Sequence, residues 1–332
     1  MKLRLAALFA VTALCLALAL RGIELDKAQA ALAAASGPRL LAVWGFYAVA
    51  HAIRVWRLGV LLDGAASFRR LLIVNSIGFL AINVMPLRLG EAVRPWLLVE
   101  REGVPLGRAL LAVVVERLLD LLGLVGLLVG LGVFVELPAS GLQVAGVDVV
   151  RAAQAGAAIL GSAVASALLL IALAGPPLFR LLGRVPALGP RLVAVAERFR
   201  SGLLDLARRP ARAALLLAQT ATVWLVTVGA VAACLSAFPG LPATLSAAWS
   251  TWAVTLSAMS AVPTAGFFGV YEAAATAALM LFGVDGSLAR TFAVVLHLGQ
   301  LGFTVLIGTL ALLSAGLGLR DLVRPAAPTA GP

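Results

Sequence analysis

Long apolar runs, each closed by arginines, by acids or by a Pro/Gly break, set the pattern of this chain. Residues 5 to 20, 40 to 56, 109 to 135, 152 to 175, 213 to 237 and 288 to 316 each read as a helix that crosses a membrane. Two further apolar stretches, 71–100 and 245–283, are interrupted by Pro86 and Gly90 and by Pro263, Gly266 and Gly269. The arm at 71–85 would reach only about 22 Å at 1.5 Å per residue, short of a hydrocarbon layer about 30 Å thick.

Charge gives these runs a direction. Arg54, Arg57, Arg69 and Arg70 follow the second run, and the 176–212 loop carries Arg180, Arg184, Arg191, Arg198, Arg200, Arg208, Arg209 and Arg212. Basic loops stay cytoplasmic, whereas the connection holding Glu136 and Asp148 is acidic. Lys2 and Arg4 before the first run, with Ala28-Gln29-Ala30 beyond it, resemble a signal peptide. The ten residues between run and site favour an uncleaved first span, with residues 22–38 as an outer connection or interfacial helix. Both termini then fall on the cytoplasmic side. Leu192, Val195, Phe199, Leu203 and Leu206 fit either an amphipathic surface helix or a loop whose charge only fixes orientation.

With those sides assigned, residues 71–100 enter and leave on the cytoplasmic side as a re-entrant hairpin, and residues 245–283 begin and end outside. The two halves, 5–135 and 213–318, also match in sequence. Gly103-Val104, Ala109, Val114-Val115, Arg117 and Asp120 stand 180 residues before Gly283-Val284, Ala289, Val294-Val295, His297 and Gln300. Pro86, Gly90 and Glu91 answer to Pro263, Gly269 and Glu272. Three spans separate the hairpins, an odd number, so the repeats are expected to be inverted. Broken helices in inverted repeats are a transporter architecture, because opened backbone is tolerated only where it lines a cavity.

Composition narrows the class. With 62% hydrophobic and 12% charged residues and a mean hydropathy of +1.06, the 332 residues form a single all-α polytopic membrane domain rather than a soluble enzyme. The net charge of +11 raises nucleic acid as a partner, but arginines scattered between apolar runs fit membrane orientation instead, and the lysines are Lys2 and Lys27 alone. Cys15 and Cys234 sit in apolar runs as small core residues. No metal-ligand spacing, nucleotide-binding loop or cofactor motif is present in the sequence.

Ionised groups deep in apolar runs carry the candidate chemistry, since a charge at the bilayer centre costs roughly 2.5 kcal/mol or more. Glu116, Arg117 and Asp120 lie roughly 11 to 17 Å from Ala109, near the midplane. One arginine between two acids needs a further partner, and Arg88 and Arg94, flanking Glu91, are the nearest candidates. Arg88, Arg94 and Arg117 could receive an anionic headgroup, or form a structural ion-pair network with inside-positive anchors. Arg101 and Arg108 are assigned to anchoring. Glu272, alone among Ala, Val and Tyr, is a candidate coupling site; His297 and Gln300 share a face of the last run, and His51 is assigned to the interface.

The combined pattern Pro86-x-Arg88-x-Gly90-Glu91-x-x-Arg94, Glu116-Arg117-x-x-Asp120 and Pro263-x-x-Gly266-x-x-Gly269-x-x-Glu272, followed by Gly283-Val284, resembles the lysylphosphatidylglycerol synthase transmembrane region, or flippase-like family. The resemblance runs over residues 5 to 318 and departs at Phe267-Phe268, where a second glycine is more usual. It implies a lipid flippase of the bacterial inner membrane that binds an anionic phospholipid or polyprenyl-phosphate-linked lipid. Arg88, Glu91, Arg94, Glu116, Arg117, Asp120, Gly266 and Gly269 would contact substrate, with Glu272, His297 and Gln300 as coupling candidates. The aminoacyltransferase domain of bifunctional members does not follow before Pro332, so synthase activity is not expected. The alternatives are a membrane enzyme modifying a lipid headgroup and a non-transporting partner of a separate lipid-modifying enzyme.

Overall fold

A computed structural model of the chain describes residues 24–85, 90–133, 208–261 and 264–318, with a few isolated positions outside them. The expected spans at 5–20 and 152–175, and most of the 176–212 loop, lie outside the described residues.

Nine α-helices are described: α1 (Leu25–Ala34), α2 (Gly37–Leu61), α3 (Phe68–Val84), α4 (Val93–Glu102), α5 (Leu106–Val133), α6 (Pro210–Ala237), α7 (Leu245–Ala261), α8 (Val270–Met280) and α9 (Gly286–Ser314). Their ends follow local chemistry. Proline stands in the first turn of α2 and α6, where its missing N–H costs nothing. Asp285 caps α9 by accepting hydrogen bonds from the N–H groups of Ser287 and Leu288. Gly103 closes α4 in the left-handed conformation. The only extended pairing among the described residues is a short antiparallel ladder, Gln143–Val144 with Val147–Asp148.

By length and apolarity alone, α6 and α9 suffice to cross a membrane, and α1 with α2, bent by 82° at their break, pass the same test only when taken together as one broken span. Helix α5 is as long as α6 but carries the charges of the candidate site. α1 has no buried residue, in keeping with an outer connection lying on the bundle.

Hydrogen bonds between helix ends fix which ends lie together. Asp63, just after α2, accepts from Arg108 at the start of α5 and pairs with Arg212 at the start of α6. Arg101 near the end of α4 donates to the carbonyl of Ala315 beyond α9. At the opposite end, the Ser36 N–H before α2 donates to Ala237 O at the end of α6. There the Glu24 N–H also donates to Ser287 Oγ in the first turn of α9. The α3–α4 unit therefore starts and finishes at one end of the bundle, and α7–α8 at the other.

The packing repeats itself between the halves. α2 packs on α6, α3 on α9 and α5 on α7. Exchanging α2, α3, α4 and α5 for α6, α7, α8 and α9 maps the α2–α6 pair onto itself and every other helix pair in substantial contact among these eight onto another such pair. At the second break, the 3-10 turn Ala265–Phe267 touches α3. A Cβ on Gly266 would lie 3.5 Å from the carbonyl oxygen of Asn83.

Close approaches depend on residues without side chains. Gly90 lies against the backbone of Ala81 in α3, where a Cβ would come within 2.2 Å of the carbonyl carbon. Gly123 and Gly130 of α5 receive the indoles of Trp224 and Trp249, and Trp249 Nε1 donates to Leu127 O at 2.8 Å. Small residues that let neighbours approach are the usual basis of helix association in lipid. Cys234 is buried in the core, as its apolar setting predicted.

Candidate ligand site between the broken helices

The charged site begins on α5, where Glu116 and Asp120 project one turn apart. Glu116 Oε2 accepts from Arg94 Nη2 at 2.5 Å, and Arg57 Nη2 stands 3.7 Å from its other oxygen. Asp120 Oδ1 accepts from Arg57 Nη2 at 2.7 Å, and Arg57 Nη1 donates to Thr220 Oγ1 at 3.0 Å. Arg57, Arg94 and Glu116 are all at most 2% exposed, so this is a buried ion-pair network joining α2, α4, α5 and α6. Such a network holds together only because each charge is paired; an orphaned member would bear the whole desolvation cost.

Above this network the pairing loosens. Asp120 Oδ2 faces Arg54 Nη1 at 4.0 Å and Arg117 Nη1 at 3.8 Å, beyond direct hydrogen bonding. Both arginines line a cavity of about 520 Å³, together with Glu91, Asp120, Asn83 and Gln300. The Arg54 guanidinium lies over the rings of Phe79 and Trp224, at 5.6 and 5.5 Å from their centroids, which holds it without neutralising it. The remaining wall is largely apolar and aromatic, with Leu121, Leu124, Trp252, Leu256, Phe267 and Phe303 prominent beside His51, Thr227, Ser260 and Thr304. Phe267 reaches it from a left-handed backbone, φ 61°.

The structure thus corrects the assignment of Arg54 and Arg57 as markers of the cytoplasmic side. Both lie within α2, which runs on to Leu61, and both face the acids of α5. The face was legible: His51, Arg54 and Arg57 recur every third residue. His51 is not interfacial either, being 9% exposed with Nε2 at 2.9 Å from Ser76 Oγ. Arg94 meets Glu116 as the charge balance required, whereas Arg88 lies outside the described residues.

The second break carries its own buried pair. Glu272 is not isolated: Oε1 lies 2.6 Å from His297 Nδ1, and Oε2 accepts from the Gly269 N–H at 2.7 Å. The His297 ring stacks on Tyr271 at 4.3 Å and meets the Phe268 ring at 4.9 Å. Neither Glu272 nor His297 lines the cavity, while Gln300, one turn beyond His297, does. Gly266 and Gly269 both have positive φ, and their place is in the turn itself, where Gly269 is occupied by the Glu272 carboxylate. No group of three or more metal-ligating side chains occurs among the described residues.

Broken helical units beside a cavity lined by charged side chains, in an apolar chain whose described residues are almost wholly helical, define a polytopic membrane protein with a buried polar site. The family described as the lysylphosphatidylglycerol synthase TM region matches residues 5–308, and the chain belongs to it. No curated protein and no solved structure matches.

Proposed function

We propose that this protein binds an anionic lipid, a phospholipid or a polyprenyl-phosphate-linked molecule, and translocates it across the bacterial inner membrane with both termini cytoplasmic. One observation carries the reading: Arg54 and Arg117 stand on the cavity wall with only loose contact to Asp120 Oδ2. Four guanidiniums (Arg54, Arg57, Arg94, Arg117) meet two carboxylates (Glu116, Asp120) in this cluster, leaving positive charge over. Glu91 on the wall offsets part of it. A phosphate between Arg54 and Arg117 would gain charge-assisted hydrogen bonds that Asp120 does not supply, and the aromatic wall offers the first carbons of a lipid an apolar surface.

Translocation is supported by the repeated packing and by broken units that start and finish at opposite ends of the bundle. In a bilayer these become two oppositely inserted re-entrant hairpins in an inverted repeat, with the site between them near the midplane. The protein's own residues bind and orient; none is assigned to bond making or breaking.

The test is reconstitution into vesicles containing headgroup-labelled phosphatidylglycerol or a labelled polyprenyl phosphate, with phosphatidylcholine as the neutral control. Preferential binding and transbilayer movement of one anionic lipid is the expected result. Chemical turnover of the headgroup would make the protein an enzyme, and binding without movement would make it a non-transporting partner of another one.

A further inference from the structure

The two halves pack alike, yet their equivalent polar pairs stand in different states. Glu91 and Arg117 both line the cavity, and no ion pair within 4.0 Å joins them. Their counterparts by the repeat, Glu272 and His297, are closed on each other at 2.6 Å, buried and absent from the cavity wall. Asp120 and Gln300, counterparts again, both line the cavity. The first half is thus open around its pair, and the second half is shut around its own.

We infer that His297 and Glu272 form a second headgroup site, which opens when the halves exchange conformations while Glu91 closes on Arg117. This deepens the translocation reading and rests on it. In the exchanged state Phe268, whose ring now covers His297, leaves the imidazole facing the cavity beside Gln300. A phosphate-bearing headgroup would pass from Arg54 and Arg117 to His297 without leaving the region between the two breaks. The Gly266 turn lies against Asn83 near the end of α3, so a shift of the second break pushes directly on that helix. The second site is also the weaker one. The repeat places a single imidazole where the first half has Arg117, and none of the cations lining the present cavity comes from the second half. Unequal sites bias exchange toward the state that holds the ligand better.

The test places single cysteines at Phe268 or Glu91 in a protein whose native Cys15 and Cys234 are replaced, and follows maleimide labelling in vesicles. Phosphatidylglycerol vesicles should slow labelling at Phe268→Cys several-fold relative to phosphatidylcholine vesicles, because the anion holds the present state. Adding His297→Gln or Glu272→Gln, either of which breaks the closed pair, should raise labelling at Phe268→Cys and lower it at Glu91→Cys. Labelling at Phe268→Cys that is indifferent both to lipid charge and to breaking the pair overturns the inference, as does a rise at both positions together. The reciprocal change between variants is read in phosphatidylcholine alone. If it persists where anionic lipid has no effect, the exchange stands and the lipid reading fails; if anionic lipid binds but labelling never reciprocates, the exchange alone fails.

Discussion

The stem of Arg94 lies across Gly78: a Cβ there would come within 2.0 Å of Arg94 Cγ. Helix α3 therefore aims the guanidinium of a residue on α4 at Glu116 on α5, and it does so by having no side chain at one position. In an unconstrained helix interior, Gly to Ala stabilises by about 1 kcal/mol. Here Gly78→Ala should instead destabilise, because Arg94 must leave Glu116 or α4 must move out. Thermal unfolding in detergent checks the sign, and a stabilised Gly78→Ala would show that the stem is free to move aside.

Removing one member of the buried network should cost more than removing an exposed charge. Arg57→Ala, Arg94→Ala and Glu116→Ala each leave a paired, buried ion without its partner, a loss of about 3–5 kcal/mol. Replacing Arg94 and Glu116 together by apolar residues of similar volume should recover much of it, since the remaining pair of Arg57 and Asp120 stays matched. Denaturation of the single and double variants measures the coupling. Equal losses in the double and the sum of singles would mean the pair does not interact.

The helical elements and half of the candidate site are legible in the sequence, for reasons visible in particular residues. The helical breaks and the long helices at 109–135, 213–237 and 288–316 were legible because apolar length and Pro/Gly breaks are local signals, and α5, α6 and α9 follow them closely. Glu116, Arg117 and Asp120 were legible because charge inside an apolar run is expensive. Arg54 and Arg57 were not, because arginine near the end of a span is most simply read as an orientation signal. Only the length of α2 and the acids of α5 that they face place them inside. The Glu272 partner was hidden by 25 residues of sequence, although the repeat that equates His297 with Arg117 already pointed at it.

The side on which each turn lies is a separate expectation. Asp63 ties the turn after α2 to the starts of α5 and α6, so cysteines at Gly64 and Gly103 should label from the same face. A cysteine at Gly240, on the turn between α6 and α7, should label from the opposite one. Membrane-impermeant maleimide on intact cells should reach Gly240→Cys and should reach the other two only after permeabilisation. External labelling at Gly103→Cys would remove the first re-entrant hairpin.

The ligand assignment makes Arg54 and Arg117 separable from the arginines beneath them. Charge-assisted hydrogen bonds contribute about 1.5–3 kcal/mol each, so Arg54→Gln or Arg117→Gln should weaken anionic lipid binding about tenfold or more. Folding should change little, because neither makes a direct hydrogen bond to Asp120. The most direct measurement is lipid retention by purified wild type and by the Arg54→Gln/Arg117→Gln double variant, by native mass spectrometry from mixed phosphatidylglycerol and phosphatidylcholine. The account predicts selective retention of phosphatidylglycerol by wild type and its loss in a folded double variant; undiminished selectivity in that variant would contradict it.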